Sequence, residues 1–130
     1  MKVLVDTSAI IAVIVNESQR KRIIELTQDK ELVAPASIPW EIGNAFSAMF
    51  KQGRLTLGLA KKALAIFDTI AIRYVETNLF NSIVLSKNHN LYAYDAYILD
   101  CAKQYNLSLL TLDQKLLKVA KSIGIRVLEV

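Results

Sequence analysis

The chain is expected to fold as an α/β domain with three layers, a central parallel sheet flanked by helices. Three observations predict this. In Lys2–Val5 and Ser108–Thr111 the hydrophobic residues are consecutive rather than alternating, as in strands buried on both faces. Each of these runs leads into an aspartate and then a helical stretch, the way a strand feeds a crossover helix. Strand-like and helix-like segments also alternate along all 130 residues, a length suited to one core, so a single domain spanning 1–130 is expected.

Lys2–Val5 is the first strand, and Asp6-Thr7-Ser8 stops it and supplies the N-cap of a helix from Ala9 to about Val15. Asn16, Glu17 and Ser18 interrupt that apolar run and offer a cap for a second helix, which carries Arg20, Lys21 and Arg22 outside and Ile23, Ile24 and Thr27 inside. Glu31–Ala34 is a short strand ending at Pro35. Pro39 suits the first turn of the next helix, where its missing N–H would find no partner anyway. Ile42, Ala45, Phe46, Met49 and Phe50 then recur at helical spacing until Gly53. Ala60, Ala63, Leu64, Phe67 and Ala71 form another stripe, with Lys61, Lys62 and Asp68 outside. Arg73–Glu76 is expected as a strand, Asn78 as the start of a helix through Ile83 and Val84, and Lys87-Asn88-His89-Asn90 as a polar loop. A helix from Ala93 to Tyr105 turns Ile98, Cys101, Ala102 and Tyr105 inward, and Asn106 suits a left-handed cap. After Ser108–Thr111, Leu116, Leu117, Ala120 and Ile123 pack a last helix closed by Gly124, and Arg126–Val130 is expected as a final strand.

Hydrophobic residues make up 53% of the chain, and the mean hydropathy is +0.31, which excludes disorder as the main state. The longest apolar run, Ala9–Val15, is far short of the roughly 18 residues of a membrane helix. Met-Lys-Val-Leu-Val-Asp places a carboxylate where a signal peptide would stay apolar, so a cytoplasmic location with no membrane association is expected. The single cysteine, Cys101, allows no internal disulfide and no zinc knuckle.

In an open parallel sheet, chemistry collects beyond the carboxyl ends of the strands. Asp6 and Asp113 each stand just past an apolar strand, Glu41 is in the first turn of the helix after the second strand with Asn44 on nearly the same face, and Asp95 opens another helix. Four carboxylates at equivalent topological positions repel one another unless a cation neutralises them. Oxygen-only ligands suit Mg²⁺ or Mn²⁺ rather than zinc, and such ions activate water and stabilise the leaving oxygen in phosphodiester hydrolysis. With those four acids committed to metal, 16 basic residues face 8 remaining acids, a balance of +8 that suits a polyanionic substrate.

Asp6-Thr7-Ser8 after an N-terminal strand, Glu41-x-x-Asn44, Tyr94-Asp95-Ala96-Tyr97 and Thr111-Leu112-Asp113, in this order, resemble the PIN-domain ribonucleases, in particular the VapC-type toxins. The resemblance covers essentially the whole chain. It implies a PIN fold, a Mg²⁺- or Mn²⁺-dependent endoribonuclease site acting on RNA, a homodimer and a VapB-type antitoxin partner. By position it implies Asp6, Glu41, Asp95 and Asp113 as the catalytic and metal-holding acids, with Ser8, Asn44 and Thr111 supporting them through hydrogen bonds. It also implies an antitoxin segment lying in an apolar groove, with a basic side chain reaching the acids. Asn106 stands where such proteins often carry glycine, and asparagine tolerates the same left-handed backbone.

Blander roles compete at each position. Asp6, Asp95 and Asp113 would serve as ordinary helix caps, and Glu41 as an acid complementing a helix dipole. Asp100, rotated about 140° from Asp95, is expected to face solvent near Lys103. His89 has no nucleophile motif beside it, Cys101 belongs to an apolar stripe, and Trp40 is expected to pack near Pro39 rather than stack on a base. Lys115, Lys118 and Lys121 form a solvated face with possible RNA contact, and Arg20–Arg22 a second basic cluster. Two alternative functions are a stand-alone PIN RNA-processing nuclease and a receiver-like Mg²⁺-binding signalling module, although a receiver would pair acids in its first loop, where Asp6 stands alone. The apolar surplus is expected on the N-terminal helices and on Ile42–Phe50, as the surfaces for a dimer and an antitoxin.

Overall fold

The computed structural model describes residues 1–130. Four strands, β1 (Lys2–Val5), β2 (Glu31–Pro35), β3 (Ile72–Val75) and β4 (Ser108–Leu110), form one sheet in the order β3-β2-β1-β4, with every pairing parallel. Seven helices flank it: α1 (Thr7–Ile14), α2 (Arg20–Thr27), α3 (Ile38–Lys51), α4 (Leu57–Phe67), α5 (Leu79–His89), α6 (Ala93–Gln104) and α7 (Gln114–Ser122). The chain steps from β1 to β2 to β3 through α1–α4, then returns past both to β4 through α5 and α6. Right-handed crossovers therefore put the two sets on opposite faces. The contacts agree, since α1 packs on α2, α3 and α4, whereas α6 packs on α5, β1 and β2. Strands buried from both sides have no polar face, and Val3, Leu4, Val33, Leu109 and Leu110 are almost wholly inaccessible.

Local backbone signals place the element ends. Helix α1 starts at Thr7, two residues before the expected Ala9, because Asp6 caps it through the Ala9 N–H. Asn16 does not cap α2. It is left-handed (φ 60°) and closes α1, with the Glu17 N–H on the Ala12 carbonyl at 2.8 Å. Lys87–His89 are the last turn of α5 rather than a loop, and Asn90 (φ 53°) ends that helix as Asn106 (φ 51°) ends α6. The expected last strand shrinks to one bridge, Val127 beside Leu109, because only the Leu109 N–H and carbonyl engage the tail, at Arg126 and Leu128.

Several inward faces expected from periodicity are open to water. Helix α1 is buried on nearly every side and offers no free apolar surface, whereas Ile24, Phe50 and Leu64 are exposed. Exposed apolar area lies instead on α4 (Leu57, Leu59, Ile66) and α5 (Leu79, Phe80, Ile83, Val84). Helix α4 meets α1 through Ala60 and Ala63, and small contact residues leave the large side chains of α4 outside.

Asp100 corrects another expectation: it does not face solvent. Its side chain is buried and its Oδ2 accepts the Asn78 N–H at 2.7 Å, tying α6 to the N-cap of α5. The 140° rotation from Asp95 holds, but the side it points to is covered by α5. Asp100→Ala should lower stability by about 1–3 kcal/mol, because a backbone N–H loses its only acceptor, while turnover per folded molecule is unchanged. Urea denaturation beside an activity assay checks both, and a loss of turnover with normal stability would show that Asp100 takes part in chemistry.

Candidate active site

Parallel strands bring all their carboxyl ends to one edge, and each following helix begins there. Asp6 leaves β1 and Asp113 follows β4, neighbouring strands at the point where the strand order reverses, which is where doubly wound sheets bind ligands. Glu41 is in the first turn of α3, after β2, and Asp95 in the first turn of α6.

Asp6 is 5% exposed. Its Oδ1 accepts the Ala9 N–H (3.0 Å) and the Ser8 hydroxyl (2.7 Å), and its Oδ2 accepts the Thr111 hydroxyl (2.5 Å). Ser8 Oγ also accepts the Leu112 N–H at 2.9 Å, and Thr111 Oγ1 the Asp113 N–H at 3.0 Å, so two hydroxyls bind the β4–α7 turn to Asp6. Asp113 caps α7 through Oδ1 and the Leu116 N–H at 3.1 Å; its other oxygen makes no hydrogen bond. Capping and membership of the cluster therefore coexist, because a cap occupies one carboxylate oxygen and leaves the second.

Glu41 is held on both oxygens, Oε1 by the Thr7 hydroxyl (2.9 Å) and Oε2 by the Ser37 hydroxyl (2.7 Å). Sequence reasoning misses both partners. Ser37 was within reach of it, four residues before Glu41 at a helix start, but Thr7 meets Glu41 only because β1 lies beside β2. Asn44 lines the same open cleft, of about 560 Å³, with Thr7, Glu41, Tyr92, Tyr94 and Asp95, yet hydrogen-bonds to none of the four acids.

Burial pushes the Asp6 carboxyl up to about 6 from an ordinary 3.8; hydrogen bonds from Thr111, Ala9 and Ser8 oppose the rise and the charge of Asp113 adds to it. Glu41 is also raised, by burial first, against the Ser37 and Thr7 hydrogen bonds and with the charges of Asp6 and Asp95. Asp95 is raised by burial and then by Asp113, with Lys115 opposing. Repulsion thus runs in a closed circuit from Asp6 to Glu41 to Asp95 to Asp113 and back to Asp6. No member has an ion-pair partner, since the salt bridges join Arg22–Glu25, Lys30–Asp29, Arg73–Glu31 and Lys121–Glu129.

No three His, Cys, Asp or Glu side chains are grouped closely enough to hold one metal ion together. The donors are all oxygen and none is in a salt bridge, which fits an ion of the Mg²⁺ type, bound through one or two carboxylates while keeping several waters. Thiol chemistry does not compete: burial, then the charges of Asp100 and Glu41, push Cys101 up to about 12. Around the rim, Trp40 does not pack near Pro39 as expected but is 73% exposed. Lys115 Nζ donates to the Asn90 carbonyl at 2.8 Å, Lys121 pairs with Glu129, and Lys118 is exposed without a partner.

Comparisons with known proteins agree with this architecture. The PIN domain profile matches residues 3–122. VapC ribonuclease Mb0985 of Mycobacterium bovis and ribonuclease VapC9 of Mycobacterium tuberculosis are each 30% identical over 115 residues, 88% of this chain and 87% of theirs. Among solved structures, PAE2754 from Pyrobaculum aerophilum superposes with a TM-score of 0.69 at 23% identity, covering 98% of this chain and 92% of that one. FitAcB from Neisseria gonorrhoeae gives 0.60 at 18% identity over 98% and 96% of the two chains, and at these identities both likenesses speak for the fold. A profile that spans nearly all of the chain, together with relatives alike over most of its length, establishes that the chain belongs to the PIN domain family, as a homologue of its VapC ribonucleases.

Proposed function

We propose that this chain is a VapC-type endoribonuclease that hydrolyses RNA phosphodiester bonds with a divalent metal, Mg²⁺ or Mn²⁺, and that residues 1–130 act as one domain. The observation that carries this reading is the closed circuit of four carboxylates, buried or half-buried and outside any salt bridge, at the switch point of the sheet. Asp6, Glu41, Asp95 and Asp113 would hold the metal, one or two of them directly and the others through its retained waters. When bound, the ion supplies an activated water at neutral pH and stabilises charge on the phosphate. The chain's own contribution is rigidity and charge. Ser8 and Thr111 fix Asp6 from opposite oxygens, and Thr7 and Ser37 fix Glu41 in the same way, so neither carboxylate has to reorganise when it meets a cation. Asp95, which lines the cleft, and the second oxygen of Asp113 carry no such restraint and are left as adaptable ligands.

Lys115, Lys118 and Lys121, exposed on α7, would contact RNA phosphates, with Lys118 the least encumbered. A VapB-type antitoxin would deliver a basic side chain to the same acids and compete with metal, because either cation relieves the same repulsion. A mostly apolar cleft of about 360 Å³ between α1, α3 and α4, with Met49, Leu55 and Leu59 in its wall and Glu17, Arg54 and Lys62 beside them, would receive its apolar segment. The exposed face of α5 is the proposed homodimer contact. No helix is long and apolar enough to cross a membrane.

The deciding experiment is cleavage of a labelled RNA by the purified chain with Mg²⁺ or Mn²⁺, with EDTA, and with metal restored. Metal-dependent cleavage, suppressed by co-expression of a short protein encoded beside the gene, is the expected result. Cleavage indifferent to EDTA would remove the metal role, and cleavage with no such neighbour would make the chain a stand-alone RNA-processing nuclease. In the same assay Lys118→Ala should weaken RNA binding and reduce its log–log salt slope by about 1, as loss of one phosphate contact does.

A further inference from the structure

Tyr92 is the N-cap of α6, a position that favours Ser, Thr, Asp or Asn because their side-chain oxygens take an orphan N–H of the first turn. Here no side chain caps the helix. The helix forgoes that bond, and in exchange an aromatic ring stands 88% exposed at the mouth of the cleft that also holds Glu41 and Asp95. Helices α2 and α3 also begin without a side-chain cap, so what singles out Tyr92 is the place of its ring at the cleft.

The ring is mounted on a fixed support rather than on a loose tip. Leu91, its neighbour, is buried, with its N–H on the Ser86 carbonyl at 3.0 Å and its carbonyl accepting the Ser86 hydroxyl. Asn90 is held through its carbonyl by Lys115 Nζ, so a cation stands at the base of the same segment. Tyr94, on the cleft wall, is braced edge-to-face against Tyr97 at 6.0 Å. An exposed ring on an anchored backbone, a cation and a cluster of acids fit one ligand chemistry, a polyanion with flat bases. In a duplex the base faces are already stacked, whereas in a single strand they are free to splay out.

We propose that Tyr92 is the stacking platform for an unpaired base beside the cleaved phosphate. This rests on the nuclease reading above. The two are separated by measuring binding and stability apart from cleavage. In an Asp6→Asn background, short single-stranded RNAs carrying 2-aminopurine at successive positions should show quenching at one position. Tyr92→Ser should abolish that quenching and weaken binding about 5- to 150-fold, the range for loss of one stacked base, while Tyr92→Phe restores both. Ser also restores the missing cap, so Tyr92→Ser should raise Tm by about 2–5 °C, which separates lost stacking from damage to the fold. In the otherwise unaltered enzyme, KM should rise more than kcat falls. If the parent chain cleaves RNA but Tyr92→Ser binds single strands as well as the parent does, or weakens a fully paired duplex equally, the stacking role is overturned and the nuclease stands. If the parent chain cleaves no RNA with Mg²⁺ or Mn²⁺, both fall together.

Discussion

Asp6→Asn should reduce RNA cleavage by at least about 100-fold while making the metal-free protein more stable. Partners that only orient a metal ligand are worth about 10- to 100-fold, so loss of an oxygen ligand at the centre of the cluster should exceed that range. The gain in stability has a separate cause. Asp6 carries a buried charge with no counter-ion, next to Asp113 and Glu41, and asparagine has the same shape without the charge. Its Oδ1 still accepts the Ala9 N–H and the Ser8 hydroxyl, and its amide donates to Thr111 Oγ1, whose own proton turns away. Cleavage rates and urea denaturation in EDTA give the two numbers. A variant as active as the parent would remove Asp6 from the site, and one that is inactive because it is unfolded would make it a structural residue.

The metal-free protein should also lose stability as pH rises from about 4 to about 6. Burial raises the Asp6 carboxyl to about 6 in the folded chain against 3.8 when free, so in this window the folded state binds more protons than the unfolded one. The contribution is therefore fully present at low pH, falls through the window and is flat above it. That rise corresponds to about 3 kcal/mol. Glu41 and Asp95 are shifted in the same direction and widen the fall. Added Mg²⁺ should offset the loss at pH 7 to 8 and do little near pH 5, because its ligands must be deprotonated to bind it. Denaturation curves across this range, with EDTA and with Mg²⁺, test both statements. Stability that rises between pH 4 and 6 in EDTA would mean that the chain itself supplies a cation to Asp6.

Most of the secondary structure was legible because its causes lie within a few residues. Consecutive aliphatics mark β1 and β4, Asp6, Asn78 and Asp113 cap the helices that follow them, and Asn106 closes α6. Misplaced ends have equally local reasons, as with Asn16, where a cap for the next helix and a left-handed close for the previous one use the same residue type. The faces were harder. Periodicity says which residues of a helix lie together, but not which neighbour arrives to cover them. Asp100 is buried under α5, and Leu64 is exposed because α4 approaches α1 through alanines.

The candidate site divides along the same line. By itself the chain's order of residues determined that strands would alternate with helices and that Asp6, Glu41, Asp95 and Asp113 would stand where helices begin, since strand ends and caps depend on adjacent residues. Tertiary structure alone decided that β1 would lie between β2 and β4. That placement lets Thr111 reach Asp6 across 105 positions of sequence, Thr7 reach Glu41 across 34, and four separate charges become one circuit. Hydrogen bonds and repulsions of this kind act over a few ångströms of space, and only the pairing of strands brings residues so distant in the chain that close.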